Sequence, residues 1–459
     1  MGKKARPYLR SMLPPLLVRS LQGVKGFDQS LFEAVHQSGE QVTSIRVNAA
    51  KHATVSEEAL PIPWCKYGYY LPKRPSFTFD PVFHAGGYYV QEASSMFLWE
   101  ALNQTVGNNT SGLKVLDLCA APGGKSTLLA SYFSDGLVVS NEVIKARASI
   151  LVENITKWGS SNVVVTNNDP AHFKSLTNYF DVIVIDAPCS GSGLFRKDPT
   201  AVEEWSENNV RLCSLRQERI VADILPCLKQ GGILLYSTCS YSKEEDEDVL
   251  DKLMNSHELT STRIRLVDSW GIVESQSNER GAYGYRFYPY LTKGEGFFLA
   301  AFTKQDGGEA AYYQEQKLPL PNKVEVESIN NFIPIPPNYS LFKQGEGIKA
   351  ISSVFYTALQ LLAKQLYIKK AGIELGTIKG KDIIPHHELA MSCLPLNHFN
   401  KLELNELQSL QYLRRQDLFI ASKTGWNLTT YCGLPLGWAK VLPNRMNNYY
   451  PQAWRILKD

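Results

Sequence analysis

Residues 114–128 read KVLDLCAAPGGKSTL, and the reading of this stretch decides the fold. The apolar run KVLDLCA ends in a tight turn at Gly123-Gly124, and a helix is predicted to open at about Lys125. A phosphate-gripping loop follows G-x-x-x-x-G-K-[ST], which with Lys125 would place its first glycine at position 119. That position is Cys119, and Pro122 removes one of the backbone N–H donors that a phosphate cradle uses. No G-x-G-x-x-G dinucleotide fingerprint is present either. The stretch is a strand–turn–helix unit shaped for some other ligand.

Working outward, LVVSNE (137–142), NVVVTNND (162–169), FDVIVIDAP (180–188) and GILLYSTCS (232–240) are further apolar runs of strand length. Helix-period segments such as KARASILVENITKWG (145–159) separate most of them, and GFFLAAF (296–302) closes the series. Strands buried on both faces read as continuous apolar runs, so the pattern predicts a doubly wound, Rossmann-like α/β sheet. A mixed, aromatic α+β lead-in is expected over residues 1–110, and the α/β domain over 111–304. A Pro-, Gln- and Asn-rich connector and intermediate region is expected over 305–379, and a small β-rich domain over 380–459.

The 459 residues call for more than one domain, and the 44% hydrophobic, 20% charged composition describes a soluble globular chain. A net charge of +3 neither requires nor excludes a nucleic-acid partner. No apolar run approaches the ~18 residues of a membrane span, and no secretory leader is evident at the N-terminus, so a cytoplasmic location is expected. The eight cysteines form no CxxC pair. No metal site and no disulfide is therefore expected.

Ligands of doubly wound sheets sit beyond the carboxyl ends of the strands. Here four successive strands end in Asp117, Glu142, Asp169 and Asp186, an acidic rim poorly suited to polyphosphate. It suits a cationic nucleoside, and S-adenosylmethionine is the obvious one. Glu142 is placed for the two ribose hydroxyls and Asp169 for the adenine amine. Two strand ends also carry a thiol, Cys189 in DAPCSGSG and Cys239 in YSTCSYS. Carbon 5 of cytosine is too weak a nucleophile to take a methyl group unaided. A thiolate adding at carbon 6 makes the ring enamine-like, and carbon 5 can then attack a sulfonium methyl. A protonated carboxyl such as Asp186 could support the ring nitrogen, and a second cysteine could assist release.

LDLCAAPGGKS, DAPCSGSG and YSTCSYSKEEDED closely resemble the signature motifs of RNA (cytosine-5) methyltransferases of the NOL1/NOP2/sun type. The resemblance runs over residues 10–305, including SIRVN (44–48), YYVQEASSM (88–96) and GYRFYPYLTKGEGFFLA (284–300). It implies Cys239 as nucleophile and Cys189 as the residue assisting release. It also implies a cofactor site of Asp117, Cys119, Ala120, Ala121, Pro122, Gly123, Gly124, Lys125, Glu142, Asp169 and Asp186. The tail, with GLPLGWAKVLPNRMNNYYPQAWR, resembles that of bacterial RsmF-type 16S rRNA methyltransferases, which implies a PUA-like RNA-binding domain. The expected activity is S-adenosylmethionine-dependent methylation of carbon 5 of a cytidine in RNA, 16S rRNA or a small-subunit particle first and tRNA as the alternative, by a monomer. Arg46, Lys73, Arg74, Trp426, Trp438, Lys440 and Arg455 are candidate RNA contacts. Whether Lys125 meets cofactor, RNA or a neighbouring carboxylate is open at this point.

Overall fold

A computed structural model describes residues 13–255, 258–307, 313–380 and 382–458. Its ten-stranded central sheet is built on five parallel strands, β1 (Lys114–Asp117), β2 (Leu137–Asn141), β3 (Val163–Thr166), β4 (Phe180–Asp186) and β5 (Leu228–Thr238). They lie in the order β3-β2-β1-β4-β5, so the winding reverses between β1 and β4. The period-2 alternation of a strand puts Val115, Val182 and Val184 in one buried cluster and Leu116, Ile183 and Ile185 in the other. Both faces are covered, and this is why the strands read as unbroken apolar runs. Beyond β5, the expected closing strand β6 (Phe297–Lys304) runs antiparallel to it.

The opposite edge differs from expectation. β7 (Ile368–Ala371), from the intermediate region after the connector, pairs antiparallel with β3 and completes the sheet. The signal was masked because Lys369 and Lys370 interrupt the apolar pattern. Lys370 is buried, its ammonium 2.7 Å from Glu388. A second sheet (Tyr339–Gln344, Gly347–Ser352, Ile373–Lys379, Asp382–Pro385) crosses the 379/380 boundary, and a third (Asn400–Glu403, Gly425–Tyr431, Leu434–Leu442, Arg445–Asn448) follows. Among the described residues no helix is long and apolar enough to cross a membrane.

The N-terminal four-stranded sheet leans on the central one through Arg46, which is not an RNA contact. Its guanidinium is fully buried, donates to Gln91 Oε1 at 2.9 Å, Thr127 Oγ1 at 2.5 Å and the Gly124 carbonyl at 3.2 Å, and lies 4.6 Å from the centre of the Trp158 ring. Trp438 is corrected in the same way. It is wholly buried in the third sheet and its indole donates to the His386 carbonyl at 3.0 Å, so it has no face for a base. Lys73, Arg74, Trp426, Lys440 and Arg455 remain at least partly exposed.

Candidate functional site

The glycine loop lies at the reversal of winding. β1 ends at Asp117, the Ala121–Pro122 peptide is cis, Gly123 takes φ 119°, and helix α1 (Gly124–Tyr132) begins one residue before expectation. Only glycine adopts such a φ without strain. Helix α2 (Lys145–Trp158) fixes the loop from the side: Arg147 donates to the Ala121 carbonyl at 2.7 Å and Asn154 to that of Pro122 at 2.8 Å.

Beside the loop opens a cleft of about 570 Å³. Cys119, Ala120, Ala121, Pro122, Gly124, Lys125, Asp186 and Cys239 border it from the central sheet. Thr43, Ser44 and Tyr89–Glu92 border it from the N-terminal sheet, with Arg74 and Lys197 at its margin. The volume is in the range of nucleoside-sized sites, and a bare glycine backbone beside an acidic group fits a cationic nucleoside.

The acids do not form the even rim that the strand ends predict. Asp117 is wholly buried; its Oδ2 accepts from Ser126 Oγ at 2.6 Å, and its Oδ1 has no hydrogen-bond partner among the described residues. Burial pushes its carboxyl up to about 7. Glu142 is buried too, accepting from Ile144 N at 2.9 Å and facing Arg147 at 3.4 Å. Asp169 caps the following turn through Ala171 N at 3.0 Å and lies 3.8 Å from Arg219, away from the cleft border. Asp186 alone of the four borders the cleft, and Lys125 Nζ stands 2.8 Å from its Oδ2. Lys125 therefore meets a neighbouring carboxylate. Burial opposes its charge, but Asp186 and Asp117 outweigh that and hold its pKa above the ordinary lysine value. The Lys125 ammonium thus lies on the carboxyl that the sequence reading sets against the ring nitrogen.

The two thiols, fifty positions apart in the chain, come together with their Sγ atoms 3.2 Å apart, and both are free cysteines. Contact with Cys239, then burial, then the Glu245 charge push the Cys189 thiol well above the ordinary range. Of the two, Cys239 is the one that borders the cleft. Cys119 is likewise pushed up by burial and the surrounding carboxylates.

Glu245, Asp246 and Glu247, given no role in the sequence reading, underlie this site. Glu245 accepts from Ser190 and Ser240; Asp246 accepts from Thr238 Oγ1 at 2.6 Å; Asp246 and Glu247 both pair with the buried Arg286. An acidic run after a strand end reads as a solvated helix start, and the only contrary signal was its adjacency to the thiol motif.

Residues 104–303 match the family described as 16S rRNA methyltransferase RsmB/F. Residues 13–93 match the N-terminal domain of 16S rRNA methyltransferase RsmF, and 399–456 match the methyltransferase RsmF PUA domain. Ribosomal RNA small subunit methyltransferase F of Shewanella loihica is 30% identical over 89% of this chain and 88% of its own length. Among solved structures, a methyltransferase homolog protein from Pyrococcus horikoshii is 28% identical with TM-score 0.50, covering 64% of this chain and 100% of that one. NSun6 from the same organism, solved with SFG, is 19% identical with TM-score 0.52 over 64% of this chain and 99% of its own, and shares the fold.

Proposed function

The chain belongs to the 16S rRNA methyltransferase RsmF family, with its N-terminal domain, Rossmann-like methyltransferase core and C-terminal PUA domain, and from that premise we propose that it methylates carbon 5 of a cytidine through a covalent bond to Cys239. Family membership makes it an S-adenosylmethionine-dependent enzyme acting on RNA. The observation that carries the finer reading is the pair of thiols 3.2 Å apart, with Cys239 on the border of the cleft.

The cofactor when bound supplies an electrophilic methyl group; the backbone of Cys119–Gly124, Asp186 and the glycine turn are the groups proposed to hold it. The target base must leave its stack to enter the cleft. The Lys125–Asp186 pair then offers a donor and an acceptor side by side, able to polarise the ring and take the exocyclic amine. Cys239, as thiolate, adds at carbon 6. After methyl transfer the proton on carbon 5 leaves to a base, the ring double bond re-forms, and Cys239 departs as thiolate. Cys189 assists that departure by donating its S–H to the leaving sulfur.

Incubation with 16S rRNA fragments, small-subunit particles and tRNA, each with methyl-labelled cofactor, tests the reading. Wild type is expected to form 5-methylcytidine in small-subunit RNA, Cys239→Ala to form neither product nor adduct, and Cys189→Ala to accumulate a covalent protein–RNA complex. Turnover by Cys239→Ala would sink it, and label in tRNA alone would move the substrate.

A further inference from the structure

Each thiol is followed in the chain by a serine, and both serines reach one carboxylate. Glu245 Oε1 accepts from Ser190 N at 2.7 Å, and its Oε2 accepts from Ser190 Oγ at 2.5 Å and Ser240 Oγ at 2.6 Å. The two serine hydroxyls are themselves 3.3 Å apart. Glu245 is wholly buried and is held from behind: Tyr236 donates to its carbonyl at 2.7 Å. Gln217, on the helix Glu207–Ile224, donates to the Pro188 carbonyl at 3.1 Å and to Glu245 Oε1 at 3.4 Å. The Cys189 turn, the Cys239 turn and that helix therefore converge on a single side chain.

The residue type is demanding. Four donors aim at two oxygens, and an ionised carboxylate is acceptor-only with room for all of them. Glutamine has the same shape but would turn an N–H toward one of the donors. A fully buried acid with so many partners could serve the fold alone, through hydrogen bonds to a charged acceptor. The partners argue for more: two of the three side chains that reach it belong to the residues that follow the two reactive cysteines.

We propose that Glu245 is the positioning residue of the thiol pair, clamping Ser190 and Ser240 so that Cys189 and Cys239 are held sulfur to sulfur at the cleft. This rests on the reading of Cys239 as nucleophile and Cys189 as release residue given above. Glu245 does not touch the base; it acts through the two turns. Apart from the sulfur contact itself, Gly193 N donates to the Cys239 carbonyl at 2.8 Å and ties the two turns at a second point.

The test uses the full chain with Glu245→Gln, Glu245→Ala and Ser240→Ala, and reads thermal unfolding, kcat and KM on RNA, and thiol spacing without RNA. Spacing is read as the rate at which diamide closes a Cys189–Cys239 disulfide, followed by mass spectrometry. Both thiols give up their protons and two electrons, and the diazene is reduced to a hydrazine. A misplacement of ~1 Å costs ~10²-fold in rate, so Glu245→Gln is expected to lower kcat by about that factor with KM for RNA within roughly twofold. The disulfide should close roughly tenfold more slowly in the same variant. Folded Glu245 variants with wild-type kcat and wild-type disulfide rate would overturn the proposal. So would activity loss that merely follows the unfolding curve with the disulfide rate unchanged. Should neither Glu245 variant fold, Ser240→Ala decides: slower disulfide closure at unchanged melting supports the clamp, and wild-type rates overturn it. If the variants slow the disulfide while wild type methylates no RNA, the clamp stands and the assigned chemistry falls.

Discussion

The thiol edge of the central sheet and the inner hairpin of the third sheet both gather polar and aromatic side chains, and they hold them in opposite ways. At the thiol edge the carboxylates point inward: Glu245, Asp246 and Glu247 are buried and each is occupied by a serine, a threonine or Arg286. On the hairpin Gly425–Tyr431 and Leu434–Leu442, Trp426 and Lys440 are directly paired across the strands and partly exposed. Lys440 Nζ lies 5.3 Å from the Trp426 ring, and Tyr449 meets that ring edge-on at 4.5 Å. Chemistry needs atoms placed to tenths of an ångström and is built on buried hydrogen bonds; a surface that accepts a flexible polymer needs reach and adaptable stacking.

The sharpest way to break this division is Cys239→Ala, the largest effect expected: no methylated product, with RNA affinity within about twofold of wild type. A comparable loss of affinity would mean that the thiol edge also carries the binding. Next comes Trp438→Ala. A wholly buried Trp lost from the third sheet should cost about 3–5 kcal/mol in denaturant unfolding. Equal stability to wild type would show that the hairpin has no packed core of its own.

Asp117→Asn sharpens the comparison from the buried side. Burial raises the folded-state carboxyl to about 7, whereas an unfolded aspartate titrates near 3.9. Between those values the native state keeps a proton that the unfolded chain has lost, so this residue's contribution falls as pH rises and levels off above about 7. The asparagine variant cannot ionise. Its melting temperature relative to wild type is expected to improve from pH 4 to pH 7 and then stay flat. A constant offset across that range would show that Asp117 is already ionised in the fold.

These contrasts also separate what was legible from what was not. The central sheet was legible because covered strands leave unbroken apolar runs, and the strand ends carried Asp186, Cys189 and Cys239 in plain view. Glu245 was not, since nothing local to SKEEDED tells that Ser190, fifty-five positions upstream, folds back onto it. β7 was hidden because a buried Lys370 needs a partner, Glu388, from a different segment. Trp426 and Trp438 are the same residue type on one face of one hairpin, and place along the strands, Trp438 opposite Leu428 within the cluster and Trp426 opposite Lys440 at its rim, separates core from margin. That register depends on the turn and on the irregularity at Thr429/Thr430, neither of which hydrophobic patterning reports. Arg46 misled for a related reason: a cation surrounded by carbonyls and an indole looks, in sequence, like any surface arginine.

The smallest effects are expected on the hairpin. Stacking of a base on a partly exposed ring is worth ~1–3 kcal/mol, so Trp426→Ala should weaken RNA binding about 5- to 150-fold while leaving the methyl-transfer rate at saturating RNA unchanged. Lys440→Met keeps the stem that covers the ring and removes only the charge. If Lys440 meets a phosphate, the slope of log affinity against log salt should shrink by about one, with affinity falling a few-fold alike for every sequence. If instead its role is to hold the Trp426 ring, the slope stays put and Trp426→Ala and Lys440→Met together cost no more than Trp426→Ala alone. Fluorescence anisotropy with one labelled RNA at several salt concentrations distinguishes the two. An unchanged affinity in both variants would remove this face from the RNA path and return the question to the exposed Lys73 and to Arg74, which borders the cleft.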